Sequence, residues 1–178
     1  MIQHKIVITG GPSTGKTTVI DYLESIGEVC LHEISRAVTL KAQNEGIAQL
    51  FLEDPVLFSQ RLLEGRINQF NEATALKHSR IFLDRGIPDV VAYMKYSNTK
   101  NPKEFIEACT SHSYDYVFLL PPWKEIHVTD NERYEDFEQA QKIHQFLRST
   151  YTDFGYTCIE VPFGTIEERS NFILNQLD

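Results

Sequence analysis

Between a short apolar, β-branched run, Lys5-Ile6-Val7-Ile8-Thr9, and a helically periodic segment starting at Lys16, the chain carries Gly10-Gly11-Pro12-Ser13-Thr14-Gly15-Lys16-Thr17. These eight residues fit GxxxxGK[ST] without a gap. At ordinary residue frequencies a chain of this length meets that pattern less than about one time in a hundred. A glycine loop joining a buried strand to a helix start is suited to polyphosphate. Glycines let backbone N–H groups turn inward and approach oxygens closely. The helix that follows adds free N–H groups and its positive dipole end. Gly10, Gly11, Pro12, Ser13, Thr14 and Gly15 are therefore expected to wrap the phosphates of a nucleotide. Lys16 is expected to neutralise the β and γ phosphates, the Thr17 hydroxyl to ligate Mg²⁺, and Thr18 to reach the α-phosphate.

The remainder of the chain repeats the same strand–helix alternation. Glu28–His32, Arg80–Asp84, Tyr114–Leu120 and Thr157–Val161 read as further short strands. Helices are expected over Lys16–Ile26, from Ser35 as a possible cap to about Asn44, from Pro55 to about His78, after Pro88, after Pro102, over Phe137–Phe154 and over Ile166–Leu177. The long helix from Pro55 is expected to bury Phe58, Leu62, Leu63, Ile67, Phe70 and Ala73. Such alternation implies an α/β fold, a five-stranded parallel sheet between helices. Its 178 residues, 42% hydrophobic and 24% charged, fit one globular domain spanning residues 1–178.

In open parallel sheets ligands bind beyond the carboxyl ends of the strands. The residues that follow each strand are therefore the chemical candidates. Asp84 closes Ile81-Phe82-Leu83 in the manner of a Walker B acid and is expected to hold Mg²⁺ beside the phosphate loop; a turn cap is the plainer reading. Glu33 ends the second strand and competes with Asp84 for the role of general base. Arg85 is expected to bind phosphate or acceptor, because a planar guanidinium matches phosphoryl oxygens. Arg36 is a weaker substrate candidate, as are Arg61 and Arg66, since arginines on helices are commonly solvated. Asp89 is a helix cap or a substrate ligand. Arg133 lies in a polar, acidic loop after the fourth strand, from which it could reach the γ-phosphate or remain a surface residue. Phe163 follows the fifth strand and either contacts a base or joins the core.

Composition removes several function classes. Lys plus Arg number 17 and Asp plus Glu 25, a net charge of −8, which disfavours nonspecific nucleic-acid or anionic-lipid binding. No apolar run approaches the roughly 18 residues of a membrane helix, so no membrane insertion is expected. Cys30, Cys109 and Cys158 form no CxxC pair; an odd count of scattered cysteines fits a reducing, cytoplasmic setting better than a disulfide framework.

The phosphate loop, the Asp84-Arg85-Gly86-Ile87-Pro88-Asp89 segment with Ala92-Tyr93, and the Tyr116–Phe154 strand–loop–helix resemble the small AAA-type ATP-binding proteins of bacteria. That family resembles the ribosylnicotinamide kinase domain of bifunctional NAD-biosynthesis proteins and, more distantly, deoxynucleoside and thymidylate kinases. The resemblance covers about Lys5 to Leu174. It implies a P-loop NTPase core of nucleoside- or nucleotide-kinase type, with the Asp84 strand beside the Lys16 strand. It further implies a lid within residues 121–136 carrying Arg133. By position Glu33 matches the base glutamate of nucleoside kinases, and Asp84-Arg85 their acid–arginine pair. Kinases of this shape are often dimers, so a homodimer is an expectation by resemblance. Sensor motifs and a separate helical lid domain are not visible, and a hexameric motor is not expected. No guanine-reading NKxD motif is present, which favours ATP.

The expected function is thus transfer of the ATP γ-phosphoryl group to a hydroxyl of a nucleoside-like or other small metabolite, with ATP and Mg²⁺ as cofactors. The alternative is a regulatory ATPase or nucleotide switch acting through a protein or lipid partner, and a third is an ATP-binding module without turnover.

Overall fold

Strand β1 (His4–Gly10) turns Val7 to one side of a sheet and Ile6 and Ile8 to the other, and all three are fully buried. A strand buried on both faces reads as a continuous apolar run. The computed structural model describes residues 2–129 and 135–177. Its remaining strands are β2 (Val29–Leu31), β3 (Arg80–Asp84), β4 (Tyr116–Leu120) and β5 (Cys158–Glu160). All pairings are parallel, in the order β2-β3-β1-β4-β5.

Helices α1 (Lys16–Ser25) and α8 (Ile166–Leu174) cover one face, where Val19, Ile20, Leu23 and Ile173 meet Ile6, Ile8, Phe82 and Phe118. The opposite face carries α4 (Pro55–Ala75), α5 (Ile87–Tyr96), α6 (Lys103–Ser111) and α7 (Phe137–Asp153), packed on Val7, Ile81, Leu83 and Val117. Two shorter connecting helices, α2 (Ser35–Asn44) and α3 (Leu50–Glu53), lead into α4. The expected α/β fold, a five-stranded parallel sheet between helices, is the observed one. No helix among the described residues is long and apolar enough to cross a membrane. The three cysteines are free thiols.

Several local expectations differ from the structure. The four-residue helix α3 has no counterpart in the sequence reading, because Leu50-Phe51-Leu52-Glu53 is barely one helical turn and too short to show a repeat. Ser35 does not cap α2: the N-cap position is Ile34, and the Glu33 carboxylate takes up the N–H groups of Ile34 and Ser35 at 2.8 and 3.1 Å. Helix α4 begins as expected at Pro55, capped by Asp54 through the Leu57 N–H at 2.9 Å. Its expected stripe is only partly right. Leu63 and Ala73 are buried, but Arg66 and Gln69 are buried with them, while Phe58, Leu62, Ile67 and Phe70 are half-buried. A Cβ at Gly65 would fall 2.2 Å from Ile34 Cδ1, so glycine there lets α4 approach the end of β2 closely.

Candidate active site

The sheet order places the carboxyl ends of β2, β3 and β1 side by side. Leu31 is in register with Leu83, and Asp84 with Ile8, two residues before the phosphate loop begins. Glu33, Asp84 and Gly10–Thr17 are thereby gathered at one end of the sheet, as the sequence expects of residues that follow strands.

The loop is held open by its backbone. Gly15 adopts φ +82° and Ser13 φ +56°, both left-handed. At Gly15 any Cβ would in addition sit 2.7 Å from Arg169 Nη1. No side chain caps the first turn of α1, so the helix presents free N–H groups to the loop. Within the loop the Thr14 hydroxyl donates to Gly11 O at 3.1 Å, and the Thr18 hydroxyl to Gly15 O at 2.7 Å. Thr17 is exposed at the loop mouth. Lys16 is nearly buried, with its Nζ 2.6 Å from Asp84 Oδ1, itself 2% exposed. Burial pulls the Lys16 ammonium below its ordinary pKa and Arg85 adds to this, while Asp84 and Glu33 oppose it.

Around Glu33 the side chains form a chain of charge. Arg66 Nη2 and Arg85 Nε (2.6 Å) donate to its two oxygens. Burial alone would raise the Glu33 carboxyl, but Arg66, Arg85, Lys16 and the Ser35 N–H outweigh it and hold the group well below the usual carboxylate range. Arg85 has φ +74°, uncommon for a residue that carries a Cβ and costing on the order of 1–2 kcal/mol. This backbone sends its guanidinium to Glu33, to Asp89 Oδ1 at 3.2 Å, and over the Tyr93 ring at 5.4 Å.

Asp89 is 3% exposed. Its carboxylate accepts from the Gly86 N–H (3.0 Å), closing the start of α5, and from the hydroxyls of Thr9 and Tyr151 (2.5 Å each). The cap half of the two readings of Asp89 is therefore present. Arg36 is exposed on the first turn of α2, and Arg61 pairs with Glu45 at 2.6 Å, away from Glu33. Arg133 lies outside the described residues.

Sequence reasoning undervalued Arg66 and missed Gln69. Arg66 is 3% exposed, and its Nη1 donates to the Asp84 carbonyl at 2.7 Å and to Gln69 Oε1 at 3.2 Å; Gln69 Nε2 reaches His32 O at 2.6 Å. Their i, i+3 spacing was a legible signal that they share a face. It also missed Arg169 and Trp123. Arg169 donates to Thr14 O at 2.8 Å and Pro162 O at 3.2 Å, and lies 5.7 Å over Trp123, which stacks on Phe163 at 5.0 Å and 22°. Phe163 is 54% exposed, so it is not a core residue. The segment after β4 folds back on the loop, with the Ser13 hydroxyl donating to Val128 O at 2.9 Å. A cavity of about 660 Å³ among Tyr114, Tyr116, Tyr156 and Cys109 opens at the other end of β4 and β5, remote from these residues.

The profile of AAA domain proteins matches residues 5–169. The chain belongs to this AAA domain family. No curated protein matches it. Among solved structures this AAA domain is similar to the deoxyadenosine kinase of M. mycoides with dCMP and dCDP bound, at 16% identity and a TM-score of 0.66, covering 97% of this chain and 98% of that one. It is similar to the NadR protein in complex with NAD and AMP-PNP, at 19% identity and TM-score 0.70, over 98% of this chain and 48% of that one. Thymidylate kinase of Candida albicans matches at 18% identity and TM-score 0.68, over 99% and 91%. The fold of the AAA domain is thus that of P-loop nucleoside and nucleotide kinases, in agreement with the resemblance read from the sequence.

Proposed function

We propose that this AAA domain is a phosphotransferase that moves the γ-phosphoryl group of ATP to a hydroxyl of a nucleoside-like or other small metabolite. The observation that carries this reading is the convergence of an uncapped phosphate loop, a Lys16–Asp84 pair and an arginine-bound Glu33 on three adjacent strand ends. The loop N–H groups and Lys16 bind the polyphosphate. As Lys16 turns to phosphate, the buried Asp84 carboxylate loses its partner and requires a cation. Asp84 and the Thr17 hydroxyl are the hard-oxygen donors that suit Mg²⁺, which is commonly held by one or two carboxylates with substrate phosphates. Mg²⁺ there would neutralise charge developing on the phosphate oxygens.

The stacked Trp123–Phe163 pair beside Arg169 offers an aromatic surface next to the loop, suited to the nucleotide base. Arg85 binds acceptor or phosphate oxygens, and Glu33 accepts the hydroxyl proton. Asp89 holds Arg85 and the start of α5 in place. Arg133 is proposed to reach the γ-phosphate from the lid, where such an arginine can be worth roughly 10³–10⁵ in rate.

The deciding experiment measures ADP release from Mg·ATP with and without nucleosides, ribosylnicotinamide and other hydroxyl metabolites. A phosphotransferase should respond at least about tenfold to one of them, as general-base chemistry on a bound acceptor allows. A slow rate that no acceptor stimulates would overturn the reading and favour a nucleotide switch.

A further inference from the structure

Glu33 offers two oxygens, and the fold treats them differently. Oε1 accepts three donors: the N–H groups of Ile34 and Ser35 and Arg66 Nη2. Oε2 accepts Arg85 Nε alone among the described residues. A carboxylate has about four lone-pair sites, two on each oxygen, so Oε1 is saturated while Oε2 keeps a direction open. The side chain is 26% exposed, and an acceptor has access to it.

Arg66 is the residue that produces this asymmetry. Its charge is buried in the middle of α4, where burial of a guanidinium is costly; both Nη groups are hydrogen-bonded, while among the described residues Nε has no partner. One end holds Glu33 Oε1 and the other the Asp84 carbonyl, so one side chain ties together the ends of β2 and β3. Gln69, one turn on, fastens the same strand end through His32 O. Arg85 differs in kind: its side chain is 15% exposed, it stands on a left-handed residue, and it divides its donors between Glu33 and Asp89. Of the two arginines on Glu33 it is the less buried.

We propose that Arg66 is a positioning residue for phosphoryl transfer, occupying Oε1 so that Oε2 of Glu33 is presented to the acceptor hydroxyl. This rests on the phosphotransferase reading above. When Arg85 turns to a phosphate oxygen, Oε2 is left facing the acceptor. The acceptor O–H bond then breaks and its proton passes to Oε2. The acceptor oxygen forms a bond to the γ-phosphorus, and the bond from that phosphorus to the β–γ bridging oxygen breaks, its electron pair departing with ADP. Arg66 remains on Oε1 and touches none of the reacting atoms.

The test compares wild type, Arg66→Met and Arg66→Lys in the full chain. It reads affinity for a fluorescent ATP analogue, thermal midpoint, and kcat and KM of acceptor-dependent ADP release. Arg66→Met should lower kcat by about 10²-fold, the lower range of general-base effects, with nucleotide affinity held within about threefold, the split that marks an interaction made in the transition state. Arg66→Lys retains the charge but cannot hold Glu33 and Asp84 together; it should recover part of kcat, and it serves alone if the methionine variant does not fold. Equal loss of kcat and nucleotide affinity, or an unchanged kcat, would overturn the positioning role while leaving the phosphotransferase intact. Absence of acceptor stimulation in the wild type would remove the parent reading itself.

Discussion

A glutamate gripped by two guanidinium groups is a weak proton acceptor at rest. Phosphoryl transfer tolerates this, because its transition state is loose and catalysis is mostly positioning and electrostatic stabilisation, so placement counts for more than basicity. Departure of Arg85 would also remove one of the cations that depress the Glu33 carboxyl. Glu33→Gln should therefore cost about 10²–10⁴ in acceptor-dependent rate with little change in nucleotide affinity; a loss below about tenfold would transfer the base role to Asp84. The same substitution has a second signature. The folded carboxyl ionises below its unfolded value of about 4.3. Its contribution to stability is complete above that value and disappears as pH falls through the folded one. Glu33→Gln should flatten the acid side of the stability–pH curve, as followed by denaturant unfolding between neutral pH and pH 3.

At the scale of elements, the turn from β3 into α5 is what aims Arg85. Its geometry depends on close packing more than on any one bond. A Cβ at Gly86 would lie 2.7 Å from the Tyr151 hydroxyl, 3.1 Å from Tyr114 Cε2 and 3.1 Å from Val7 Cγ2. Tyr151 and Tyr114 are held in turn by Asp89 and by the Ile87 N–H, so none of these neighbours yields easily. Gly86→Ala should destabilise by about 1–3 kcal/mol, the usual range for overpacking, and lower acceptor-dependent turnover with it. Adding Tyr151→Phe removes the nearest atom, and the double variant should lose less than the sum of the singles. Strict additivity in urea titrations would show that the turn relaxes without the tyrosine.

For the whole molecule, binding at the end of the sheet links three strands, α1 and the segment after β4. A nucleotide that binds only the folded chain at 100 times its Kd adds about 2.7 kcal/mol, which for a chain of this size is a rise of about 5–11 °C in midpoint. Mg·ATP should produce such a rise, and Lys16→Ala should abolish most of it in a thermal melt; an equal rise in both would sink the phosphate-loop assignment. The sequence alone determined the strands, the loop and the residues that follow each strand, because apolar runs, glycine spacing and strand ends are local signals. Lys16, Asp84 and Glu33 were legible for that reason. Arg169 and Trp123 were not, since each reads locally as an ordinary helix or loop residue, and the i, i+3 spacing of Arg66 and Gln69 showed a shared helix face but not what that face meets. Only the order β2-β3-β1-β4-β5 decided their place. It carries α4 across the ends of β2 and β3 and sets α8 against the phosphate loop, burying charges whose partners lie 18 to 155 residues away along the chain.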